Sequence, residues 1–263
     1  MTRLTPSAPR WRALLAVLAG LTLGLTSAPA LAADEVRLLK AVSTVSSRYG
    51  QTWQDVSYTL VVKNLAYEKF VYVQQKQPDG TWVLLPASYV GPANPGFEIW
   101  KVTQQYASYS TPPQPLRDLE FAARFVVGGV SYWDNNGGAN YRLGRNDGPL
   151  LRTNVLVDAS FWRSPSGDLD VSIDLKNLAY TKNVKVVYTT NNWATSTEAS
   201  AGYVSGYTVG YAYVYSPNVH GVERWQAHIP SIAGTHLQFY VRYEVNGQTY
   251  WDSNFGQNYR HTR

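Results

Sequence analysis

The sequence predicts an all-β protein made of two antiparallel β-sandwich units in tandem. A ten-residue segment occurs twice, as YWDNNGGANY at 132–141 and as YWDSNFGQNY at 250–259. Each copy follows a two-residue turn signal, Gly128-Gly129 or Asn246-Gly247, and such turns favour twisted antiparallel hairpins of type I′. Beyond residue 32, no stretch keeps the apolar spacing of an amphipathic helix, so short strands between turns account for the pattern. A small barrel in each unit is the alternative architecture.

The first 32 residues have the features of a secretory signal. Arg3, Arg10 and Arg12 give a positive start, and a short apolar run follows at 13–25. Ala-Leu-Ala at 30–32 fits the small-x-small rule for cleavage. A retained membrane anchor is the alternative, but the apolar run is shorter than the ~20 residues that span a bilayer. We therefore expect a signal peptide at 1–32 and a secreted or periplasmic mature protein.

Composition excludes several classes of partner. The chain has 23 basic and 18 acidic side chains, and three of the basic ones lie in the signal, so the mature protein is nearly neutral. Without a run of Lys or Arg, it lacks the charge that nucleic acids or anionic membranes attract. It has no cysteine, so stability must come from apolar burial rather than disulfides. About 230 mature residues suffice for two cores.

The duplication extends over the whole mature chain. Three segments recur in the same order: Lys-Asn-Leu-Ala-Tyr at 63–67 and 176–180, a Trp in a polar loop at 82 and 193, and Glu-x-Trp at 98–100 and 223–225. Apolar and polar side chains alternate along 169–175, as in a half-buried antiparallel strand. We therefore predict one module at 34–145 and another at 152–263. Residues 142–154, with their glycines and proline, are expected to be a flexible linker.

The closing hairpin determines which way the aromatic side chains of the second module point. A two-residue turn pairs Tyr243 with Tyr250 and, one position further, Arg242 with Trp251. Because side chains alternate between faces, Tyr250 joins the core and Trp251 lies outside, diagonal to Tyr240. An outward Trp and Tyr beside a loop of Asp and Asn suit a sugar, which needs an apolar face and hydrogen-bond partners. The alternative is a Trp that only covers the edge of a sandwich.

These segments resemble carbohydrate-binding module family 21, whose modules also occur in glycogen-targeting subunits of type-1 protein phosphatase. The residues that carry the resemblance are 176–180, Trp193, Glu223, Trp225 and 243–254, together with their counterparts in the first module. The resemblance implies immunoglobulin-like sandwiches that bind α-1,4-glucans without hydrolysing them. The phosphatase-docking role is not implied, because the chain has no matching basic-x-Val-x-Phe segment.

The resemblance also implies two sugar sites in each module, the first of them on the closing hairpin and the Trp loop. In the second module this site corresponds to Trp193, Tyr240 and Trp251, with Asn254 and Asn258 at the rim. In the first module it corresponds to Trp82, Trp133, Asn136 and Asn140. Ala122 stands where the second module has Tyr240, so we expect a weaker platform in the first module.

The second implied site uses the Tyr of the Asn-Leu-Ala-Tyr segment with two further aromatic residues. In the first module these are Tyr67, Tyr89 and Phe97, with Asn64 and Lys69 nearby. In the second module they are Tyr180 and Tyr203, with Asn177 and Lys182 nearby. Val222 replaces the third aromatic there, so we expect this site to be stronger in the first module.

Catalysis is not expected. A glycoside hydrolase needs two carboxylates across the scissile bond, whereas Asp134 and Asp252 are single and lie in turn-rich loops. Glu98 and Glu223 fit a solvated strand face or structural hydrogen bonds, and the histidines lack metal-ligand spacing and are expected to be exposed. We predict a secreted, non-catalytic α-glucan-binding protein without a cofactor. The alternative is a surface adhesive or structural protein whose repeats bind another protein or a non-starch polysaccharide.

Overall fold

The computed structural model of the protein describes residues 35–93 and 96–263, so the predicted signal peptide at 1–32 lies outside the described residues. Antiparallel strands dominate, which confirms the all-β class. The first half contains β1 (Val36–Arg48), β2 (Gln51–Lys63), β3 (Lys69–Lys76), β4 (Trp82–Pro86), β5 (Ser88–Pro92), β6 (Phe97–Ala107), β7 (Leu119–Val127), β8 (Val130–Asp134), β9 (Tyr141–Leu143) and β10 (Gly148–Leu151). Within the described ranges, no helix has the length and apolar character that crossing a bilayer requires.

The second half repeats this arrangement with an additional hairpin. Its strands are β11 (Val155–Trp162), β12 (Leu169–Lys176), β13 (Lys182–Thr189), β14 (Thr197–Ser200), β15 (Gly202–Val204), β16 (Gly206–Val209), β17 (Ala212–Tyr215), β18 (Val222–Ile229), β19 (His236–Val245), β20 (Gln248–Asp252) and β21 (Tyr259–Thr262). β16 and β17 pair only with each other in a separate two-stranded sheet, and they have no counterpart among the strands of the first half.

Each half is an open sandwich around its own core. We call residues 35–151 the first sandwich and residues 155–263 the second sandwich. In the first sandwich, β10-β1-β2-β6-β5 packs against β4-β3-β7-β8, with β9 beside β7. In the second sandwich, β11-β12-β18-β15 packs against β14-β13-β19-β20, with β21 beside β19. Tyr58 and Phe121 meet between the sheets of the first core with ring centroids 4.6 Å apart. Because the strands of each half form two separate sheets, the barrel alternative is wrong. The exact module boundaries stay a prediction.

The closing hairpins have the predicted register. β19 pairs with β20 so that Tyr243 lies opposite Tyr250 and Arg242 lies opposite Trp251. Asn246 and Gly247 form the turn with φ angles of 51° and 71°, as the type I′ geometry requires. Tyr243 is fully buried and Tyr250 packs against the core, while Trp251 is 60% exposed.

The repeated Tyr-Trp-Asp segment connects each hairpin to the first strand of its sandwich. The buried carboxylate of Asp252 accepts hydrogen bonds from the main-chain N–H of Val157 at 2.6 Å and from the Tyr259 hydroxyl at 2.7 Å. In the first sandwich, Asp134 accepts from the main-chain N–H of Leu38 and from a tyrosine hydroxyl in the same way. A buried carboxylate needs such donors. The aspartate of the repeated segment is therefore structural.

The predicted flexible linker at 142–154 is wrong. β10 lies within it and pairs with β1, and the main-chain N–H of Arg152 donates to the carbonyl of Leu39 at 2.9 Å. The described residues, 35–93 and 96–263, belong to one compact unit. The segment does not act as a free linker because its N–H and C=O groups form hydrogen bonds along the edge of β1. Backbone polar groups that leave water need such partners.

A charged cluster is buried where the two sandwiches meet. Lys40 of β1 forms ion pairs with Asp158 and with Asp174, the latter at 2.6 Å. Arg224 of β18 bonds to the same two carboxylates at 2.7 Å each, and the ring of Tyr207 covers its guanidinium, 3.8 Å from the ring centroid. Two cations and two anions balance, which is the condition for burying charge at low cost.

Candidate functional site

A stacked pair of aromatic rings stands at the surface of the second sandwich. Trp193 and Tyr240 lie with ring centroids 5.5 Å apart and planes 26° apart. Tyr240 is on the outward face of β19, opposite Val187 of β13. The pair therefore forms a broad apolar surface with the Tyr hydroxyl at its edge, which is the combination that stacks on a sugar ring.

The loop that presents Trp193 is held in an unusual conformation. Trp193 has a φ of 67°, in the left-handed region that bulky residues rarely adopt. The hydroxyl of Thr189 accepts the main-chain N–H of Trp193 at 3.1 Å, and the indole N–H donates to the Gln238 side chain at 3.0 Å. These bonds orient the ring before any ligand arrives, and a strained backbone of this kind is typical of functional positions.

Trp251 lies next to this pair on the same outward face. It is opposite Arg242 and diagonal to Tyr240, and more than half of its side chain is exposed. The guanidinium of Arg242 forms ion pairs with Glu198, at 2.8 Å, and with Glu244, at 3.1 Å. The register thus places Tyr240 and Trp251 on one face, with Trp193 stacked on Tyr240, and ion pairs hold the Arg242 side chain.

The predicted rim asparagines belong to the turn after the hairpin. Asn254 and Asn258 both have positive φ angles, and the Asn254 amide donates to the Asn258 carbonyl at 3.4 Å. In the first sandwich, the Asn136 amide donates to the Asn140 carbonyl, and Asn140 donates to Glu120. These bonds engage side-chain amides within the protein, so a sugar would compete with them.

The platform of the first sandwich is smaller. Trp82 on β4 and Trp133 on β8 are both partly exposed. The Arg124 guanidinium lies over the Trp133 ring, 5.1 Å from its centroid. Ala122 is buried on the strand between them, so no ring occupies the position where the second sandwich has Tyr240.

The second predicted site of the first sandwich is divided by the packing of the two sandwiches. Tyr67 is almost fully exposed, and Tyr89 packs edge-on against Trp100 with ring centroids 5.7 Å apart. Phe97, however, packs against a buried apolar cluster to which Phe255 of the second sandwich also packs. Phe97, predicted as the third aromatic residue of this site, therefore also belongs to the junction between the sandwiches.

In the second sandwich, this site has two exposed aromatic side chains. Tyr180 is 100% exposed, and Tyr203 packs edge-on against Trp225 at 6.1 Å. Val222 is buried and offers no ring to a ligand. Of the residues predicted for this site, only Tyr180 and Tyr203 offer an aromatic ring to a ligand.

The Lys, Asn and Glu of the repeated segments form the same hydrogen-bonded network in each sandwich. In the second sandwich the Lys182 ammonium bonds to Glu223 at 2.8 Å and to Asn177 at 2.7 Å, and the Trp225 indole N–H donates to the same Glu223 carboxylate. In the first sandwich, Lys69 bonds to Glu98 and Asn64, and Trp100 donates to Glu98. Of the two roles predicted for the glutamates, the structural one is confirmed. Whether the lysines and asparagines also contact sugar stays a prediction.

Two of the four histidines are less exposed than expected. His220 donates to the Asp147 carboxylate at 3.0 Å, and His261 shares a hydrogen bond with the Ser160 hydroxyl at 2.9 Å. Both are half-buried, whereas His228 and His236 are exposed. Among residues 35–93 and 96–263, no group of three or more His, Cys, Asp or Glu side chains is arranged to hold a metal ion.

The tyrosines of the β16–β17 hairpin lie outside the sites predicted from the sequence. Residues 199–222 contain five tyrosines and no Asp, Glu, Lys or Arg, and that composition was the available signal. Tyr211, Tyr213 and Tyr215 are all more than half exposed. They extend the aromatic surface of the second sandwich beyond the predicted sites.

Comparison with known proteins identifies a family. The model of the carbohydrate/starch-binding module (family 21) matches twice, at residues 39–144 and 150–262. Protein phosphatase 1 regulatory subunit 3B of Danio rerio is 32% identical over 91 residues, which are 34% of this chain and 29% of that protein. The Bos taurus protein of the same name is 37% identical over 90 residues, which are 34% of this chain and 30% of that protein. The matched segments thus span less than a third of either relative.

Among solved structures, the starch-binding domain of Rhizopus oryzae glucoamylase, in complex with β-cyclodextrin and maltoheptaose, has 28% identity and a TM-score of 0.31. The alignment covers 42% of this chain and 94% of that domain.

Proposed function

Because the chain belongs to family 21 of the carbohydrate/starch-binding modules, we propose that it binds α-1,4-glucans, as an exported protein without catalytic activity. The ligands are starch, glycogen and the malto-oligosaccharides derived from them. The export part of the proposal rests on the signal-like sequence at 1–32.

The Trp193–Tyr240 stack is the observation that carries this proposal. The two rings are stacked with their planes 26° apart, Thr189 holds the loop that carries Trp193, and Trp251 extends the same face. A pyranose ring has an apolar face that stacks on such rings, while its hydroxyl groups stay in water or bond at the rim. Rigid presentation lowers the entropic cost of binding.

The environment of the repeated carboxylates supports a non-catalytic role. Asp134 and Asp252 accept main-chain and tyrosine donors inside the fold. Glu98 and Glu223 are bound to lysine and tryptophan. Hydrolysis by the usual mechanism needs one carboxylic acid and one carboxylate that both face the substrate, and these side chains are committed to structural bonds instead.

Binding to insoluble polysaccharides tests the proposal directly. The protein should co-sediment with granular starch, should be displaced by maltoheptaose and should not be retained on cellulose. Trp251→Ala should weaken binding of maltoheptaose roughly threefold to tenfold, since one aromatic contact contributes about 0.5–1.5 kcal/mol. Phe161→Ala is the matched control, because Phe161 is a similarly exposed aromatic side chain outside the predicted sites. Equal retention on starch and cellulose, unaffected by maltoheptaose, would reject α-glucan binding in favour of an adhesive role.

A further inference from the structure

The β16–β17 hairpin has two faces of different character. Along β17, Ala212 and Val214 are buried while Tyr213 and Tyr215 are exposed, at 53% and 72%. The register places Gly206 opposite Tyr215 and Thr208 opposite Tyr213, so these four residues share the outward face. That face consists of two phenol rings, one hydroxyl side chain and a glycine.

The inward face anchors the hairpin to both sandwiches. Tyr207 covers the Arg224 guanidinium in the charged cluster, and burial there raises the pKa of Tyr207 to about 12. Val214 lies so close to Gly148 of β10 that a Cβ at Gly148 would come within 2.8 Å of its Cγ1. At the tip, Tyr211 packs edge-on against Trp53 at 5.9 Å. These contacts hold the hairpin through its inward face, while its outward rings remain exposed.

The rings of Tyr213 and Tyr215 pack against their neighbours and form a continuous surface. Tyr213 and Tyr215 pack edge to face, with centroids 5.0 Å apart. The Tyr213 ring lies across Gly206, where any Cβ would overlap its hydroxyl and outer carbons. Glycine at this position therefore lets the ring lie along the strand instead of projecting into solvent.

This surface adjoins the Tyr203 side chain. The Tyr203 hydroxyl donates to the carbonyl of Ser216, the residue that follows Tyr215. The main-chain N–H of Ser216 in turn donates to the carbonyl of Ser205 at 3.0 Å. Tyr203, Tyr213 and Tyr215 therefore belong to one connected segment at the surface of the second sandwich.

The charge of the segment indicates the class of ligand. Residues 199–222 carry no Asp, Glu, Lys or Arg, whereas partners such as nucleic acids or anionic lipids are attracted by charge. A neutral polymer with apolar ring faces and many hydroxyl groups matches rigid phenol rings, each of which offers a stacking face and a hydrogen-bonding group.

We propose that Tyr213 and Tyr215 form an additional α-glucan-binding surface, continuous with Tyr203, on the outward face of the β16–β17 hairpin. The inference rests on the proposed function and makes it more specific. In the second sandwich, Val222 leaves the Tyr180–Tyr203 pair without a third aromatic, and the hairpin supplies aromatic rings on another side of Tyr203. The strands described for the first sandwich, at 35–93 and 96–151, include no such hairpin, so the surface makes the two sandwiches unequal.

A double substitution in the full chain tests the surface. Tyr213→Ala/Tyr215→Ala should weaken binding of maltoheptaose, measured by calorimetry, roughly fourfold to twentyfold, because each ring contributes about a twofold to tenfold effect and the two contacts overlap. Tyr213→Phe/Tyr215→Phe keeps both rings and should bind within about twofold of the wild type. Tyr109→Ala is the matched control, because Tyr109 is exposed to a similar extent and lies outside the surface.

Footprinting of the unsubstituted protein gives a result that does not depend on how the variants fold. Hydroxyl-radical labelling read by mass spectrometry should show that maltoheptaose protects Tyr213 and Tyr215 but not Tyr109. If the wild type binds maltoheptaose while the two tyrosines stay unprotected and the Ala variant binds normally, the surface is not a glucan site although the proposed function stands.

The remaining outcomes are equally informative. If the wild type binds no α-glucan at all, the proposed function itself is rejected. If the Phe variant loses as much affinity as the Ala variant, the rings do not act by stacking and the proposal is wrong in its mechanism. If the Ala variant sediments as a smaller species than the wild type, a second copy of the chain occupies the surface instead of a glucan.

Discussion

Replacing Lys40 by methionine should destabilise the junction of the two sandwiches substantially. Lys40 and Asp174 have side chains that are 9% and 0% exposed, so water screens little of the attraction between their charges. Methionine retains most of the packing of the lysine stem. What is lost is one of two cations, which leaves Arg224 alone between two carboxylates.

The expected loss is about 3 kcal/mol in the free energy of unfolding. Removing one partner from a buried ion pair costs roughly 3–5 kcal/mol, and the lower end applies because the Asp158 side chain is 31% exposed and can be hydrated. With a urea m-value of about 3 kcal/mol/M, the denaturation midpoint should fall by about 1 M. Tryptophan fluorescence during urea denaturation measures that midpoint.

A second substitution checks that charge balance is the cause. Asp158→Asn on its own should also destabilise the protein, but combined with Lys40→Met it leaves Arg224 paired one-to-one with Asp174. The double variant should therefore be more stable than the sum of the two losses predicts, by about 1–3 kcal/mol. Lys76→Met is the control: its surface ion pair with Glu120 spans 3.5 Å, and its loss should cost less than about 1 kcal/mol. Equal losses for Lys40→Met and Lys76→Met, or strict additivity in the double variant, would refute the reasoning.

Two further results are expected. Asp252→Asn should destabilise the second sandwich by about 1–3 kcal/mol. The amide oxygen can still accept from the Val157 N–H and the Tyr259 hydroxyl, which share one carboxylate oxygen, but the amide NH2 would replace the oxygen that accepts from the Asn254 main-chain N–H and would set donor against donor. Thermal denaturation measures this loss, and an unchanged melting temperature would contradict it. The junction should also open at extremes of pH, as urea denaturation across the pH range would show. Burial opposes both charges, yet Asp174 and Asp158 raise the pKa of Lys40 above 10.5, and Lys40 and Arg224 hold the pKa of Asp158 below 3.8. The stability from Lys40 is therefore complete below 10.5 and lost as pH rises through its folded pKa. The stability from Asp158 is complete above pH 3.8 and is lost as pH falls through its folded pKa. A free energy of unfolding that stays constant above pH 10.5 and below pH 3.8 would show that the cluster does not titrate as described.

The junction also changes how two sugar-binding modules in one chain would act together. Two modules on a flexible linker would search independently for one polymer, with an effective concentration determined by linker length. Here β10 is paired to β1 and the charged cluster ties Lys40 to the second sandwich. The candidate sites therefore hold a set orientation, and a glucan must match that orientation to contact both sandwiches. Cutting the chain into 34–145 and 152–263 would remove β10 from the edge of β1 and would leave Asp174 without Lys40.

Local rules were sufficient for the hairpins. The turn type at Asn246-Gly247 and the alternation along β19 place Tyr243 inside and Trp251 outside, because both depend on backbone geometry within a few residues. The duplication likewise required nothing beyond the repeated segments. The second sandwich repeats the bonds of the first at Asp134 and Asp252.

The sequence by itself therefore determined the all-β class, the two-fold repeat, the register of the closing hairpins and the outward position of Trp251. Only the tertiary structure decided that the two sandwiches pack together, that Phe97 lies at their junction and that the tyrosine hairpin rests on the first sandwich. Lys40 is 118 residues from Asp158 and 134 residues from Asp174, and no periodicity encodes a contact at that distance. Such contacts follow from the complementary shape and charge of two folded surfaces, which exist only once both sandwiches have formed.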